Sequence, residues 1–360
     1  MERYRHWLAL RRIAGVGNVL YRRLIETFKT PEAVFAAREE ALLRVEGISN
    51  EAAQGILDFQ DFEWVDRECE EIVKADVSLV SIHDPDYPPL LAAIYDPPPL
   101  LYLKGSLEGD RHPIAVVGSR KTTPYGKRVT ERICSELAGY GMTVVSGFAR
   151  GIDGFAHQAA LTAGGRTIAV VGCGVDRIYP SEHKALFEQI VEQGAVISEF
   201  PMGAFPEPHH FPQRNRIISG LSLGCVVVEA ALESGSLITA RFALEQGREV
   251  FAVPGSIFSE TSAGTHRLIK SGAKLVQGVD DILEELLPAL KRKPQMPGPP
   301  LTPLEGDEEV LYRLLSLEPK HIDQVILESA RPASVVSGLL LALELKGAVR
   351  QLAGKFYVRM

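Results

Sequence analysis

Residues 112–290 alternate short apolar stretches with longer amphipathic ones, and this alternation restricts the possible folds more than any other feature of the chain. The short stretches are rich in Val, Ile and Ala and continuously apolar, as expected of strands buried on both faces. The segments between them have helical apolar spacing, which gives the βαβ pattern of an open parallel sheet. The predicted strands are Ile114–Val117, Thr143–Ser146, Thr167–Val171, Ala195–Ser198, Cys225–Val228 and Val250–Val253. The pattern predicts an α/β fold with a Rossmann-like, doubly wound parallel sheet, and Lys274–Val276 as an edge strand.

The first region, residues 1–75, has helical apolar spacing around two glycine turns. Gly15-Val16-Gly17 and Gly47 each lie between two apolar segments, and the pattern repeats after about 32 residues. It is similar to a tandem helix-hairpin-helix, or SAM-like, module. In such modules glycines let the backbone approach a DNA phosphate, and the following helix offers free N–H groups. A plain helical bundle with glycine caps explains the same pattern equally well.

Residues 76–112 contain two short strands, Ser78–Ile82 and Leu100–Leu103, on either side of a turn-forming run. These strands lead into the alternating region. We therefore predict one extended Rossmann-like domain over residues 76–290. The Pro-rich stretch 291–304 is predicted to be a semi-rigid, extended linker.

Residues 305–360 have the pattern of a winged helix, with three helical segments followed by a hairpin. Many winged helices bind duplex DNA through the third helix. Here that helix, Ala333 to Lys346, carries Ser334, Ser337 and Gly338 where arginines are expected. We therefore favour protein–protein packing over base recognition for this domain.

The composition is that of an ordinary soluble globular protein. Of the 360 residues, 46% are hydrophobic and 24% are charged, which is sufficient for a large core. No apolar run approaches the roughly 20 residues of a membrane span, and the polar first residues do not fit a secretory signal peptide. The four cysteines lie far apart and lack metal-ligand spacing. They are predicted to be reduced thiols in a cytosolic protein.

The net charge of −7 argues weakly against nucleic-acid binding, but the basic residues are clustered. A cluster near the start of the chain faces only Glu2 and Glu26 over the same span. It consists of Arg3, Arg5, Arg11, Arg12, Arg22, Arg23 and Lys29. Two further clusters are Arg120, Lys121, Lys127 and Arg128, and the pair Arg214 and Arg216. The composition is therefore compatible with a local basic groove on an acidic body.

Small, hydroxyl-bearing and basic residues follow several of the predicted strands. In open α/β sheets the ligand lies beyond the carboxyl ends of the strands. Glycine allows close backbone approach, and an arginine fork suits a phosphate. Turn and cap glycines explain each loop singly, but several such loops at one sheet edge predict an anion site. Its candidate residues in these loops are Gly118, Ser119, Arg120, Ser146, Gly147, Ala149, Gly151, Ser236 and Thr239.

The stretch Phe211–Gly220 places two arginines and an asparagine at the start of an apolar helix. Arg214 and Arg216 flank Asn215, and helix residues two apart point in different directions, which suits a folded phosphate-bearing ligand. The helix N-terminus is expected to add N–H donors. A solvated loop with two structural ion pairs is the alternative.

The motifs of nucleotide-using enzymes are incomplete. The loop from Gly118 resembles a P-loop, but Arg128 replaces the magnesium-binding hydroxyl, and Gly172-x-Gly174 lacks the third glycine of a dinucleotide fingerprint. No Ser/His/Asp set and no His/Cys/Asp metal cluster is apparent in the sequence, so no cofactor, metal or catalytic residue is predicted. The alternative is an enzyme that processes a nucleotide or nucleoside phosphate, with Asp153 or Glu229 as acid or base.

Several of these strings together resemble the DNA-processing protein A family, also called DprA or Smf. The resemblance covers most of the chain, from the helical N-terminal region to the winged helix. The matching strings are Gly118-Ser119-Arg120, Ser146-Gly147-x-Ala149-x-Gly151-Ile152-Asp153, Tyr179-Pro180, Phe211-Pro212-x-Arg214-Asn215-Arg216-Ile217-Ile218, Ser234-Gly235-Ser236-Leu237-Ile238-Thr239-Ala240 and Val253-Pro254-Gly255.

The resemblance implies a cytoplasmic, homodimeric protein without enzymatic activity that binds single-stranded DNA during natural transformation. Such proteins load the RecA recombinase onto incoming strands and shield those strands from nucleases. Arg120, Arg214 and Arg216 are then expected to neutralise phosphates, while aromatic side chains stack on bases. The candidates for stacking are Phe211, Phe148 and His210.

Overall fold

The computed structural model describes residues 1–286, 304, 306–316, 319–346, 348–352 and 354–359. The chain divides into two compact units, Met1–Lys293 and Pro294–Met360. Apart from Leu304, the stretch predicted to be a linker lies outside the described residues.

The first unit is built on a nine-stranded sheet with the order β1-β2-β6-β5-β4-β3-β7-β8-β9. The strands are β1 Ser78–Ser81, β2 Leu100–Gly105, β3 Ile114–Val117, β4 Val144–Ser146, β5 Thr167–Val170, β6 Ala195–Ser198, β7 Gly224–Val227, β8 Glu249–Ala252 and β9 Lys274–Leu275. In this spatial order, every neighbouring pair from β6 across β3 to β9 is parallel. β2 pairs antiparallel with β6, and β1 pairs antiparallel with β2. The predicted Rossmann-like sheet is thus confirmed, because each strand predicted within residues 112–290 begins within one residue of its expected start.

The N-terminal helices pack on one face of this sheet. They are α1 Arg5–Arg12, α2 Asn18–Phe28, α3 Pro31–Phe35, α4 Glu39–Leu42, α5 Asn50–Leu57 and α6 Phe62–Lys74. Gly15 precedes α2 and Gly47 precedes α5, both in the left-handed region with φ of 82° and 87°, as the hairpin prediction requires. Trp7 of α1 shares a core cluster with Tyr102 of β2, so these helices and the sheet have a continuous core.

The remaining helices of this unit are α7 Pro89–Ala92, α8 Pro124–Gly139, α9 Ile152–Thr162, α10 Lys184–Gln193, α11 His210–Gly220, α12 Ser236–Glu245, α13 Ala263–Lys270 and α14 Val279–Leu286. They cover both faces of the sheet. In β3, Ile114 and Val116 pack against α8, α9 and α14, while Ala115 and Val117 face the core shared by α7, α11 and α12. Burial on both faces explains why these strands are continuously apolar.

The described residues of the second unit form three helices and a small antiparallel sheet. Its elements are α15 Asp307–Leu314, β10 Lys320–His321, α16 Ile322–Ser329, α17 Ala333–Leu345, β11 Val349–Leu352 and β12 Phe356–Arg359. The strand order is β10-β12-β11, which completes the predicted winged helix and adds the short strand β10 to it. Leu311, Val325, Val336 and Leu340 belong to its core.

The exposed side of α17 carries Ser334, Ser337 and Gly338 together with Leu341, so this surface presents small and apolar groups. Among the described residues, no single helix has the length and apolar character needed to cross a membrane. The pair α16 and α17 meets both criteria only when the two helices are counted together, and they are bent by 113° relative to each other.

Candidate nucleic-acid interface

A cleft of about 760 Å³ opens where the strand order reverses. β3 and β7 are neighbours at the centre of the sheet, but the chain continues from β3 to β4 on one side and from β7 to β8 on the other. Loops that follow two such strands separate, and they leave a crevice at the carboxyl edge of the sheet. We call it the switch-point cleft. Its walls include residues 117–121 at and after the end of β3, residues between 231 and 239 before and within the start of α12, and residues of α11 between Phe211 and Ile218.

Most of the residues predicted from sequence line this cleft. They are Gly118, Ser119, Arg120, Ala149, Phe211, Arg214, Asn215, Ser236 and Thr239. Gly147 lines a smaller adjoining cavity. Ser146, Gly151 and Arg216 line neither.

An exposed cation and an aromatic ring lie side by side in the cleft. The Arg120 guanidinium is 5.3 Å from the centroid of the Phe211 ring, and the Tyr179 ring is 6.0 Å from the same ring. Lys121, also exposed, follows Arg120 on the loop. Within the described part of the chain no carboxylate forms an ion pair with Arg120. An unpaired guanidinium beside a half-buried ring suits a ligand that has both a phosphate and a flat base.

The hydroxyl groups predicted to bind an anion are largely engaged within the protein. Ser119 Oγ accepts a hydrogen bond of 3.1 Å from Lys121 N and donates one of 2.8 Å to Lys121 O. Ser236 Oγ lies 2.8 Å from Ser234 Oγ, and Thr239 is buried in α12. The hydroxyl of Ser119 therefore holds the turn that presents Arg120 to the cleft.

Arg214 forms part of the cleft floor. Its Nη1 donates to the carbonyl oxygens of Gly147, at 2.6 Å, and of Val170. Burial lowers the pKa of Arg214 to about 10, and the nearby Asp153 carboxylate opposes that shift, so the guanidinium remains charged at neutral pH. Arg214 thus joins the loop after β4 to the end of β5 and contributes a buried positive charge beneath the cleft.

Arg216, which was predicted to neutralise phosphate, lies away from the cleft. Its Nη2 donates to Glu199, its Nε lies 3.1 Å from Asp96 Oδ2, and its side chain is 7% exposed. The reason is helix geometry, since residues two apart are separated by about 200° around the axis. α11 begins at His210, so both arginines lie beyond its first turn, where Arg214 faces the cleft and Arg216 faces the opposite side. Arg216 therefore forms structural ion pairs, which was the alternative to phosphate binding considered from the sequence.

Ser146 and Gly151 support the cleft from below. Ser146 Oγ donates a 2.6 Å hydrogen bond to Val116 O and so joins β4 to β3. Gly151 has a φ of 78°, and a Cβ placed on it would be 2.8 Å from Arg120 O and even closer to Ser119 O. Glycine at this position therefore allows the loop after β4 to contact the loop that carries Arg120.

Both carboxylates considered as acid or base groups are buried and hydrogen-bonded. Asp153 lies at the start of α9 and accepts a 3.3 Å hydrogen bond from Ala149 N. Burial raises its pKa, with the Arg214 charge acting in the opposite direction. Glu229 accepts hydrogen bonds from the backbone N–H and the hydroxyl of Thr123, the N-cap residue of α8. These contacts give both side chains structural roles at helix N-termini.

Several residues of the cleft were not predicted from the sequence. Lys121, Tyr179, Pro206 and Pro208 line the cleft without having been proposed as ligand contacts. Lys121 was recognised as part of a basic cluster. Because it follows Arg120 directly, the sequence could have predicted that it also lies at the cleft. The two prolines do not directly follow a strand and carry no polar side chain, and the path of the loop before α11 brings them to the cleft.

The basic cluster of the N-terminal helices is paired with acids from other parts of the chain. Arg5 pairs with Asp66 at 2.8 Å, and Arg12 lies 3.4 Å from Asp61. Arg23 lies 3.3 Å from Glu46. These partners were not apparent from the local span, and they reduce the positive charge that this module offers to DNA.

Comparisons with known proteins agree with this architecture. Residues 78–287 match the family model described as DNA recombination-mediator protein A. Residues 8–59 match a SAM-like helix-hairpin-helix tandem, and residues 293–355 match the DprA winged helix domain. The chain belongs to the DNA recombination-mediator protein A family.

Relatives within this family match over most of the chain. A Protein Smf from Synechocystis sp. is 37% identical, with 98% of each chain covered. A Protein Smf from Escherichia coli is 41% identical over 89% of this chain and 87% of its own. The family resemblance inferred from the sequence is therefore confirmed.

Two solved structures of the family support the same fold. DNA processing protein A (DprA) from Streptococcus pneumoniae matches with a TM-score of 0.69 and 37% identity, covering 78% of this chain and 98% of that one. DNA processing protein A from Helicobacter pylori, described by its single-stranded DNA binding mode, matches with a TM-score of 0.54 and 30% identity. That match covers 59% of this chain and 96% of the Helicobacter chain.

Proposed function

We propose that this chain binds single-stranded DNA in the switch-point cleft and does so without catalysing a reaction. The observation that carries the proposal is the unpaired Arg120 guanidinium beside the Phe211 ring. Phosphates supply most of the affinity of such binding, and base stacking on aromatic rings adds to it whatever the sequence. The single-stranded DNA binding mode of the related Helicobacter pylori protein supports the choice of ligand.

The residues have different roles in this proposal. Arg120 contacts phosphate, Phe211 stacks on a base, and buried Arg214 adds charge from below. The backbone and small side chains that border the strand are Gly118, Ser119, Ala149, Asn215, Ser236 and Thr239. Ser146, Gly147, Gly151 and Arg216 position this surface and do not contact the DNA.

We further propose that the protein acts in natural transformation, as a cytoplasmic homodimer that loads the RecA recombinase onto incoming strands and protects them. Membership of the DNA recombination-mediator protein A family supports this role. The winged helix is proposed to pack against protein, because the exposed side of α17 lacks cations among its described residues.

Removing the Arg120 charge is expected to weaken binding of an oligothymidine strand about tenfold and to flatten its salt dependence by about 0.7 log units per log unit of salt. Fluorescence anisotropy at several salt concentrations measures both quantities. The matched control is Arg132→Ala, which removes another exposed charge, on α8, that pairs with Glu136. The proposed site is wrong if Arg120→Ala and Arg132→Ala behave alike.

The Phe211→Ala variant is expected to lose about 1–3 kcal/mol of binding free energy with an unchanged salt slope, because stacking releases no counterions. Phe211→Trp should retain most of the affinity. Phe258→Ala is the control, since Phe258 is 92% exposed and does not line the cleft. Equal losses for Phe211→Ala and Phe258→Ala would contradict a specific stacking role.

Removing residues 305–360 is expected to change the affinity for single-stranded DNA less than about twofold, because the cleft is formed entirely by residues of the first unit. The same anisotropy titration tests this expectation. A loss of tenfold or more would mean that the winged helix contributes directly to strand binding.

A further inference from the structure

The loop before α11 brings three metal-binding side chains together. Glu207, His209 and His210 each offer a ligand atom, and these atoms all lie within 4.8 Å of one another. Glu207 and His209 are exposed, and His210 is half-buried. No metal cluster was apparent in the sequence, because these residues are nearly consecutive and lack the spacing of familiar metal motifs.

His210 is held in the way that metal-binding histidines usually are. Its Nδ1 lies 3.2 Å from Gly172 O and 3.1 Å from Phe205 O, and its ring stacks on Phe200 with 3.9 Å between the centroids. A ring nitrogen between two carbonyl oxygens carries the hydrogen, so Nε2 retains the lone pair. Donation of one ring N–H to a backbone carbonyl is the common second contact of a histidine that binds metal through its other nitrogen.

The other two side chains are able to close around an ion. His209 Nδ1 is 3.4 Å from Glu207 Oε2, and the His209 and His210 rings meet at 4.4 Å between centroids. Ligand atoms of a tetrahedral zinc ion are separated by about 3.3 Å. The ligand atoms of the three residues lie up to 4.8 Å apart, and rotation of the exposed Glu207 and His209 side chains can bring them to the zinc spacing.

We propose that Glu207, His209 and His210 bind a divalent transition metal such as zinc, with water as a further ligand. Two imidazoles and one carboxylate suit zinc, whereas magnesium and calcium require oxygen ligands. The positive end of α11 opposes a cation, and the Glu207 carboxylate offsets that effect. The ion would join the loop that carries Pro206 and Pro208, two residues of the cleft wall, to the first turn of α11.

Calorimetric titration of zinc chloride into the full chain, without a polyhistidine tag, tests this site. We expect saturable binding of one zinc per chain, at least about tenfold weaker binding in His209→Ala and in Glu207→Gln, and no saturable binding of magnesium. His112→Ala is the matched control, because His112 is also exposed but remote from the loop in sequence.

Cobalt(II) provides a second measurement, since ligation by nitrogen in a tetrahedral site gives visible absorption bands that the His209→Ala variant should lack. Metal-free wild type and variants should melt at the same temperature, which separates lost ligation from lost folding. The proposal is overturned if wild type binds no zinc saturably, or if His209→Ala and Glu207→Gln bind it as tightly as wild type does.

Discussion

Arg216→Met is expected to lower the free energy of unfolding by about 3–5 kcal/mol. The substitution replaces the cation with a shorter, uncharged side chain and leaves Glu199, 6% exposed, as a buried carboxylate without its cationic partner. Asn18 Nδ2, 3.4 Å from Glu199 Oε2, is a neutral donor and compensates only part of that loss. Urea unfolding followed by tryptophan fluorescence measures the change, because Trp7 and Trp64 both lie in the first unit.

The matched control is Arg132→Met, which disrupts the exposed ion pair with Glu136 and should cost no more than about 1 kcal/mol. The double variant Arg216→Met/Glu199→Gln should recover part of the loss, because it removes the unpaired charge as well. A loss below about 1 kcal/mol for Arg216→Met, or no recovery in the double variant, would show that this ion pair does not support the fold.

Gly151→Ala is expected to lower the stability by at least about 2 kcal/mol and to weaken binding to single-stranded DNA in the molecules that remain folded. Gly151 has a φ of 78° and a ψ of −130°, a backbone conformation that almost only glycine adopts. The added Cβ would also clash with the carbonyl groups of Ser119 and Arg120. The clash would displace the loop that carries Arg120, the residue proposed to contact phosphate. Urea unfolding and DNA titration of the same variant measure the two effects.

Gly247→Ala separates backbone strain from displacement of the loop. Gly247 also has a positive φ, 67°, but a Cβ there would meet no atom within 4 Å. It should cost about 1 kcal/mol of stability and leave DNA affinity unchanged. If Gly151→Ala bound DNA as tightly as Gly247→Ala does, contact between the two loops would be irrelevant to the cleft.

The sheet and the position of its functional edge could be predicted from the sequence because both depend on local patterns. A strand buried on both faces must be continuously apolar, as Ile114–Val117 is, and the polar residues after it then mark the carboxyl edge. Gly118 and Arg120 were found in this way, whereas Phe211 was found from the stretch of arginines at the start of the following helix. The glycine turns at Gly15 and Gly47 were likewise predicted from their place between apolar helices, and the structure adds that both glycines have a positive φ.

The roles of individual charges could not be predicted, because their partners are distant in sequence. Arg214 and Arg216 look equivalent in the chain, yet one forms the cleft floor and the other pairs with Glu199 and Asp96. Arg12 pairs with Asp61 across 49 residues, which removes much of the basic character that the local sequence indicated.

The sequence by itself determined which segments become strands and helices, and which loops gather at one edge of the sheet, because these follow from the periodicity of apolar residues over short distances. The tertiary structure alone decided whether Arg120 or Arg216 faces solvent, and which carboxylates Arg12 and Arg216 meet. Electrostatic and hydrogen-bonding partners are selected by proximity in space, and a local pattern holds no information about which distant carboxylate a folded arginine will meet.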